Sequence, residues 1–166
     1  MAYEYDISSN DGAELLVSEQ EIEDIVDLVL KEEGITRPCM VSISFVSNER
    51  IQKLNAEWRG QDMPTDVISL ECERPDEPGL GEGVPCELGD IVIASKYVRQ
   101  QAAGFGTTAA DECRMLLVHG LLHLLGYDHL EDSEAEEMEA REDELLQLIH
   151  TDGDLARVNF TRHKDD

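Results

Sequence analysis

The sequence predicts an α/β (α+β) fold: one domain over residues 1–166, with a small mixed sheet of about four strands covered by about five helices. Three observations carry this expectation. Strand-like alternation and helix-like spacing of apolar residues interleave along the chain. The 166 residues suit a single hydrophobic core. No internal repeat and no long linker divides them.

The elements follow in order. Residues from Ala2 to Ser8 read as a weak edge strand. Ser18 and Glu21 make a capping box, and Ile22, Ile25, Val26, Val29 and Leu30 follow at helical spacing up to Gly34. Val41, Ile43 and Phe45 alternate with Ser42 and Ser44, the mark of a half-buried strand. Ser47 or Asn48 can cap a helix that places Ile51, Leu54 and Trp58 on one face. The stretch after Gly60 reads as a turn, and Val67 to Leu70 as a short apolar strand. Residues 72–86 hold three prolines and three glycines and form a long loop. Leu88 to Ala94 is a further strand, leading into a helix with Val98, Ala102 and Ala103 that stops near Gly104 to Gly106. Thr108 can cap the next helix, with Asp111 at its third position. Ser133 and Glu136 make another capping box, for a last helix packed through Met138, Leu145 and Ile149. The polar tail, residues 151–166, is expected to fray.

The helix after Thr108 carries the densest chemistry. Residues 119–129 read His119-Gly-Leu-Leu-His123-Leu-Leu-Gly126-Tyr-Asp-His129. Histidines four apart lie on one helix face and can share one ion. Gly126 can end the helix in a left-handed residue and turn the chain so that His129 completes the set. Three neutral imidazoles leave a fourth position open, as in a catalytic zinc site. The long zinc-protease signature has this spacing too, but keeps a general-base Glu where Gly120 stands. The small Gly120 is expected to open space beside the metal. From Met115 to Leu125 the remaining residues are aliphatic or Met, so the helix is expected to be buried, and buried imidazoles need partners. One zinc ion on His119, His123 and His129 meets that need, although imidazole also suits nickel, copper or iron.

Composition narrows the partners. The chain carries 38 acidic against 13 basic residues, a net charge of -25. This argues against loose electrostatic binding to nucleic acid or anionic membranes, but does not exclude a local basic pocket. No signal peptide and no transmembrane run is visible, so the expected compartment is the cytoplasm. Cys39, Cys72, Cys86 and Cys113 form no close pair in sequence and read as reduced thiols, with a Cys72–Cys86 disulfide as the lesser alternative.

A second segment bears on function. Asn55, Trp58-Arg59 and Pro64-Thr65-Asp66-Val67 form, taken alone, a helix end, a turn and a strand start. Arg59 then reads as a helix C-terminal cation and Asp66 as a turn carboxylate. Together with Gly89-Asp90-Ile91 and residues 119–129, however, the pattern resembles one family, the single-domain zinc-dependent endoribonucleases of the YbeY type. That family is linked to ribosomal RNA maturation and ribosome quality control. The likeness covers roughly residues 40–140, and its histidine motif is highly specific. Trp58 stands where Tyr is usual and Leu70 where Phe is usual. The loop at 72–86 reads as a local insertion, and the acidic balance is not explained by the resemblance.

The resemblance implies a single-strand RNA substrate, ribosomal RNA, and makes Arg59 essential beside the metal-holding histidines. Phosphodiester cleavage needs charge stabilisation on the non-bridging oxygens and a proton acceptor for the attacking oxygen. The Arg59 fork matches two phosphate oxygens. Attack by the RNA 2′-hydroxyl and attack by metal-activated water both remain open. Thr65 and Asp66 are expected to shape the substrate pocket. Asp128 either orients a ligand imidazole or is a plain turn residue. His150 and His163 read as surface residues. Two other readings stand beside this one: a zinc peptidase or amidase, and a non-catalytic metal-stabilised module that docks on the ribosome or a ribosomal protein.

Overall fold

A computed structural model describes residues 3–128 and 130–153. Its elements are β1 (Tyr3–Ser9), α1 (Glu19–Glu32), β2 (Cys39–Val46), α2 (Asn48–Arg59), β3 (Val67–Glu71), β4 (Cys86–Ala94), α3 (Ser95–Phe105), α4 (Ala109–Leu124) and α5 (Asp132–Leu146). The expected α+β plan of four strands and five helices is what the described residues form. The sheet order is β1-β2-β4-β3. β1 and β4 both run parallel to β2, with Ile7 and Ile91 level with Ile43. β3 runs antiparallel to β4, with Val67 opposite Ile93, and forms the other edge.

Local side-chain chemistry starts three of the helices. Ser18 Oγ accepts from the Glu21 amide at 3.1 Å, Ser47 Oγ from Arg50 at 3.1 Å, and Thr108 Oγ1 from Asp111 at 3.0 Å. Each such cap contributes about 1 kcal/mol. Ser133 does not behave this way. α5 begins at Asp132 with Glu131 as its N-cap and no side-chain cap bond, so Ser133 lies inside the first turn. Asp132 and Glu134 there complement the positive end of the helix dipole instead.

One sheet face is covered by helices along β2 and β4, and only partly at β1. Val41, Ile43, Phe45, Leu88, Ile91 and Ile93 pack against Ile22, Val26 and Val29 of α1 and Met115 to Val118 of α4, with Met138 and Leu145 of α5 beyond. The opposite face is covered only in part. α2 shields it only where Ile51 and Leu54 meet Val46, Ile68, Val92 and Ala94. The rest of that face, with Glu4, Asp6, Met40, Ser42, Glu87 and Asp90, lines an open groove. Apart from Met40 its outward positions are polar or charged, so this stretch of β1, β2 and β4 meets water although the strands run parallel. Trp58 departs from expectation: it is 60% exposed, because the packed stripe of α2 stops at Leu54. Ala103 is exposed too, while Val98 and Ala102 are buried.

Cys86 opens β4 and is buried beside its ladder partner Cys39, whereas Cys72 is exposed. All four cysteines are free thiols. The loop before β4 is fastened by Arg37, which donates to the Gly81 and Val84 carbonyls at 2.6 Å each. The start of the tail is not frayed. The amides of Asp152 and Gly153 donate to the Asp111 carboxylate at 2.8 and 2.9 Å, and Thr108 Oγ1 donates to Asp152 at 2.8 Å. His163 and the rest of the tail lie outside the described residues.

Candidate metal centre

α4 is the central helix, packed against α1, α3, α5, β3 and β4. Every residue from Asp111 to Leu122 is buried; the apolar composition from Met115 onward predicts the later part of that run, while Asp111, Glu112 and Arg114 are charged residues buried before it. On its one face that meets a cavity stand His119 and His123. Their ring centroids are 4.6 Å apart with planes at 82°, and their Nε2 atoms are 3.1 Å apart.

What holds the rings decides their chemistry. His119 Nδ1 meets a carboxylate oxygen of Glu142 on α5, and His123 Nδ1 lies 3.0 Å from the Tyr127 carbonyl. A carbonyl only accepts, so His123 carries its proton on Nδ1 and presents a lone pair at Nε2. Glu142, which offers a carboxylate oxygen to His119 Nδ1, selects the same tautomer there. Two such lone pairs 3.1 Å apart repel, and a shared cation relieves the repulsion. A tetrahedral zinc with ligand bonds of about 2.0–2.1 Å separates two nitrogens by about 3.3–3.4 Å, close to what is found. The donor set therefore fits a zinc ion. Among the described residues no group of three His, Cys, Asp or Glu side chains closes a site. The expected third ligand, His129, lies outside the described residues.

Two glycines behave differently from one another here. Gly126 has φ +106, a conformation that side chains rarely adopt, and the reversal it permits delivers the Tyr127 carbonyl to His123. A β-carbon at Gly126 would also meet the Arg74 guanidinium at 3.1 Å, so the 72–86 loop packs onto this turn. Gly120 does not open space beside the metal. A β-carbon there would sit 3.1 Å from both Ile91 Cδ1 and Ser69 Oγ, so the glycine lets α4 press onto the sheet. That approach fills the place of the protease base.

The cavity holds about 460 Å³ and lies at the β3 edge of the sheet between α2 and α4. Its lining brings together Arg59, Thr65, His119 and His123 from the predicted residues. Arg59 is exposed and donates through Nη2 to the Val67 carbonyl at 3.1 Å, which fixes the guanidinium at the rim. Asp66 is placed behind the wall. It is 3% exposed, and its carboxylate accepts from the Val67 amide at 2.7 Å and from the Thr65 hydroxyl at 3.4 Å. Its contribution is to hold the turn that presents Thr65 and Val67. Asn55 does similar work, donating to the Met63 carbonyl at 2.9 Å from a buried position. Asp128 is half-buried in the turn after Gly126, and His150 is exposed.

Glu142, Ser69 and Tyr97 are site residues that the sequence reading missed. Ser69 and Tyr97 line the cavity but belong to no motif. Glu142 had a signal: it follows Met138 by four residues, so it is an acid on the buried stripe of α5.

Comparison with known proteins places this geometry. The profile described as Endoribonuclease YbeY matches residues 6–150. The chain belongs to the YbeY family. A YbeY endoribonuclease from Exiguobacterium sp. (strain AT1b) is 43% identical over 146 residues, 84% of this chain and 92% of the relative. The one from Bacillus subtilis (strain 168) is 41% identical over 130 residues, 76% and 83% of the two chains. The solution structure of a Thermotoga maritima protein superimposes with a TM-score of 0.60 at 27% identity, covering 86% of this chain and 87% of that one. The YbeY match takes in both described histidines, Arg59, Glu142 and the cavity wall. Among the described residues no helix is long and apolar enough to cross a membrane.

Proposed function

We propose that this chain is a zinc-dependent endoribonuclease, one domain over its whole length, that cuts single-stranded RNA in ribosomal RNA maturation and ribosome quality control in the cytoplasm. The observation that carries the reading is the pair of convergent Nε2 atoms on His119 and His123 in the same cavity as the anchored Arg59. Membership of the YbeY family supports the reaction class.

His119, His123 and, by its place in the motif, His129 hold one zinc ion as neutral imidazoles. A zinc ion there supplies a Lewis acid for a phosphoryl oxygen and brings the pKa of a water to about 7. Glu142 and the Tyr127 carbonyl keep both described rings in the binding tautomer. Asp128 is assigned to the support of His129. Arg59 spends one N–H on Val67 and keeps the rest of its fork for two non-bridging oxygens of the scissile phosphate. The Thr65 and Ser69 hydroxyls line the same cavity and offer hydrogen bonds to the sugar-phosphate. A ribosomal or ribosome-associated protein that delivers the RNA would offset the long-range repulsion of a chain at -25.

The peptidase reading loses its general base at Gly120, where the sheet closes the space. The test is cleavage of an unstructured RNA oligonucleotide by purified protein. Zinc-loaded protein should cut, chelation should stop it, added zinc should restore it, and His119→Ala should be inactive. Undiminished cutting by His119→Ala would refute the reading. Intact RNA with zinc bound would favour the non-catalytic docking module.

A further inference from the structure

Trp58 is the only tryptophan of the chain and is 60% exposed. Its helical phase makes that exposure informative. It follows Leu54 by four and Ile51 by seven residues, on the stripe that α2 otherwise buries, yet the packing ends before it. Its surroundings belong to the cavity. Asn55, one turn earlier, and Arg59, the next residue, both line it, as do Gln61 and Met63 just beyond. Met63 is also exposed, at 56%. Trp58 itself is not part of the lining; it stands exposed on the helix end that supplies Asn55 and Arg59 to the cavity.

Charge points the same way. α1 carries six acidic residues against one basic, and α5 carries eight against one. α2 instead has three basic residues against two acidic, and α3 has Lys96 and Arg99 with no acid at all. Lys96 is exposed and precedes Tyr97, which lines the cavity. Among these four helices, α2 and α3 are therefore the two whose basic residues outnumber the acidic ones, although Glu71 of β3 also lines the cavity. A weak field leaves little phosphate-driven affinity, so the remaining grip must come from the bases.

Building on the proposed function, the geometry points to Trp58 as a stacking platform for a nucleobase next to the scissile phosphate held by Arg59. The site would then take single-stranded RNA because only an unpaired base can be splayed onto an indole face. Any base has such a face, so the contact selects strandedness rather than sequence.

The test uses the zinc-loaded protein and the fluorescence of its single tryptophan. Two ligands are titrated: a 2′-O-methyl uridine hexamer, and an abasic hexamer with the same phosphates. The base-bearing hexamer should quench the emission saturably, and the abasic one should not. Read by calorimetric titration, since neither variant keeps the tryptophan, Trp58→Ala should weaken hexamer binding about tenfold and raise KM for RNA with kcat at saturation unchanged, while Trp58→Phe stays within about threefold of wild type. Melting curves should show both variants folded, since the side chain packs on little. Equal quenching by both hexamers, or Trp58→Ala binding as wild type does, overturns the proposal. Absence of cleavage by wild type would instead sink the proposed function, so the two failures are distinguishable.

Discussion

Replacing Glu142 tests whether α5 helps to build the metal centre. The carboxylate is 3% exposed and meets His119 Nδ1, so it fixes both the tautomer and the orientation of that imidazole. Removing such a partner costs metal affinity about 10–100-fold, or about 1.4–2.8 kcal/mol at 1.4 kcal/mol per decade. Glu142→Ala should therefore weaken zinc binding within that range. Glu142→Gln keeps an acceptor but loses the charge, and charge-assisted bonds are about twice as strong as neutral ones, so its loss should be roughly half as large in free energy. In the metal-free protein Glu142→Ala leaves an imidazole N–H buried without its acceptor, at a cost of about 1–3 kcal/mol. Competition with a chromophoric chelator measures the affinity, and urea unfolding of the metal-free proteins measures the second effect. Wild-type zinc affinity in a folded Glu142→Ala protein would refute the reasoning, because His119 would then need no support from α5.

Further outcomes follow from other parts of the fold. Gly120→Ala should destabilise the protein by about 1–3 kcal/mol, as overpacking does, because Ile91 and Ser69 must both yield; unchanged urea unfolding would contradict this. Asn55→Ala removes the bond to the Met63 carbonyl and should lower Tm by about 2–8 °C for a cost of about 1–2 kcal/mol, read by calorimetry. Burial pushes the Cys86 thiol up from 9.0 to about 12, and burial with a Glu33 hydrogen bond pushes Tyr127 up from 10.0 to about 12. Both groups favour their neutral forms in the fold, so their contribution is complete below pH 9 and is lost as pH rises from about 9 through 12. Urea unfolding across that window should show stability falling, and Cys86→Ala should flatten part of the slope.

The parts legible in the sequence were those set by neighbours in the chain. The caps at Ser18, Ser47 and Thr108 each satisfy an amide three residues on, and His119 and His123 meet because they are four apart. The same local rule failed at Ser133, where α5 starts earlier on Glu131. What escaped depends on contacts between distant elements. Glu142 reaches His119 across 23 positions, and Gly120 is small because β3 and β4 come close. The exposure of Trp58 depends on where the packing of α2 ends, which helical spacing cannot tell. Asp66 showed in the sequence as a pocket residue, but only tertiary structure shows that it works through the backbone of Val67.

The account stands on Arg59 acting with the histidine-held metal on one phosphate. The most direct measurement is the single-turnover cleavage rate of zinc-loaded Arg59→Ala at saturating RNA, with metal content determined on the same sample. The account predicts about one zinc per chain, as in wild type, and a rate lower by about 10²–10³, the cost of removing one preorganised donor to a developing anion. A fully zinc-loaded Arg59→Ala protein that cuts at the wild-type rate would contradict it.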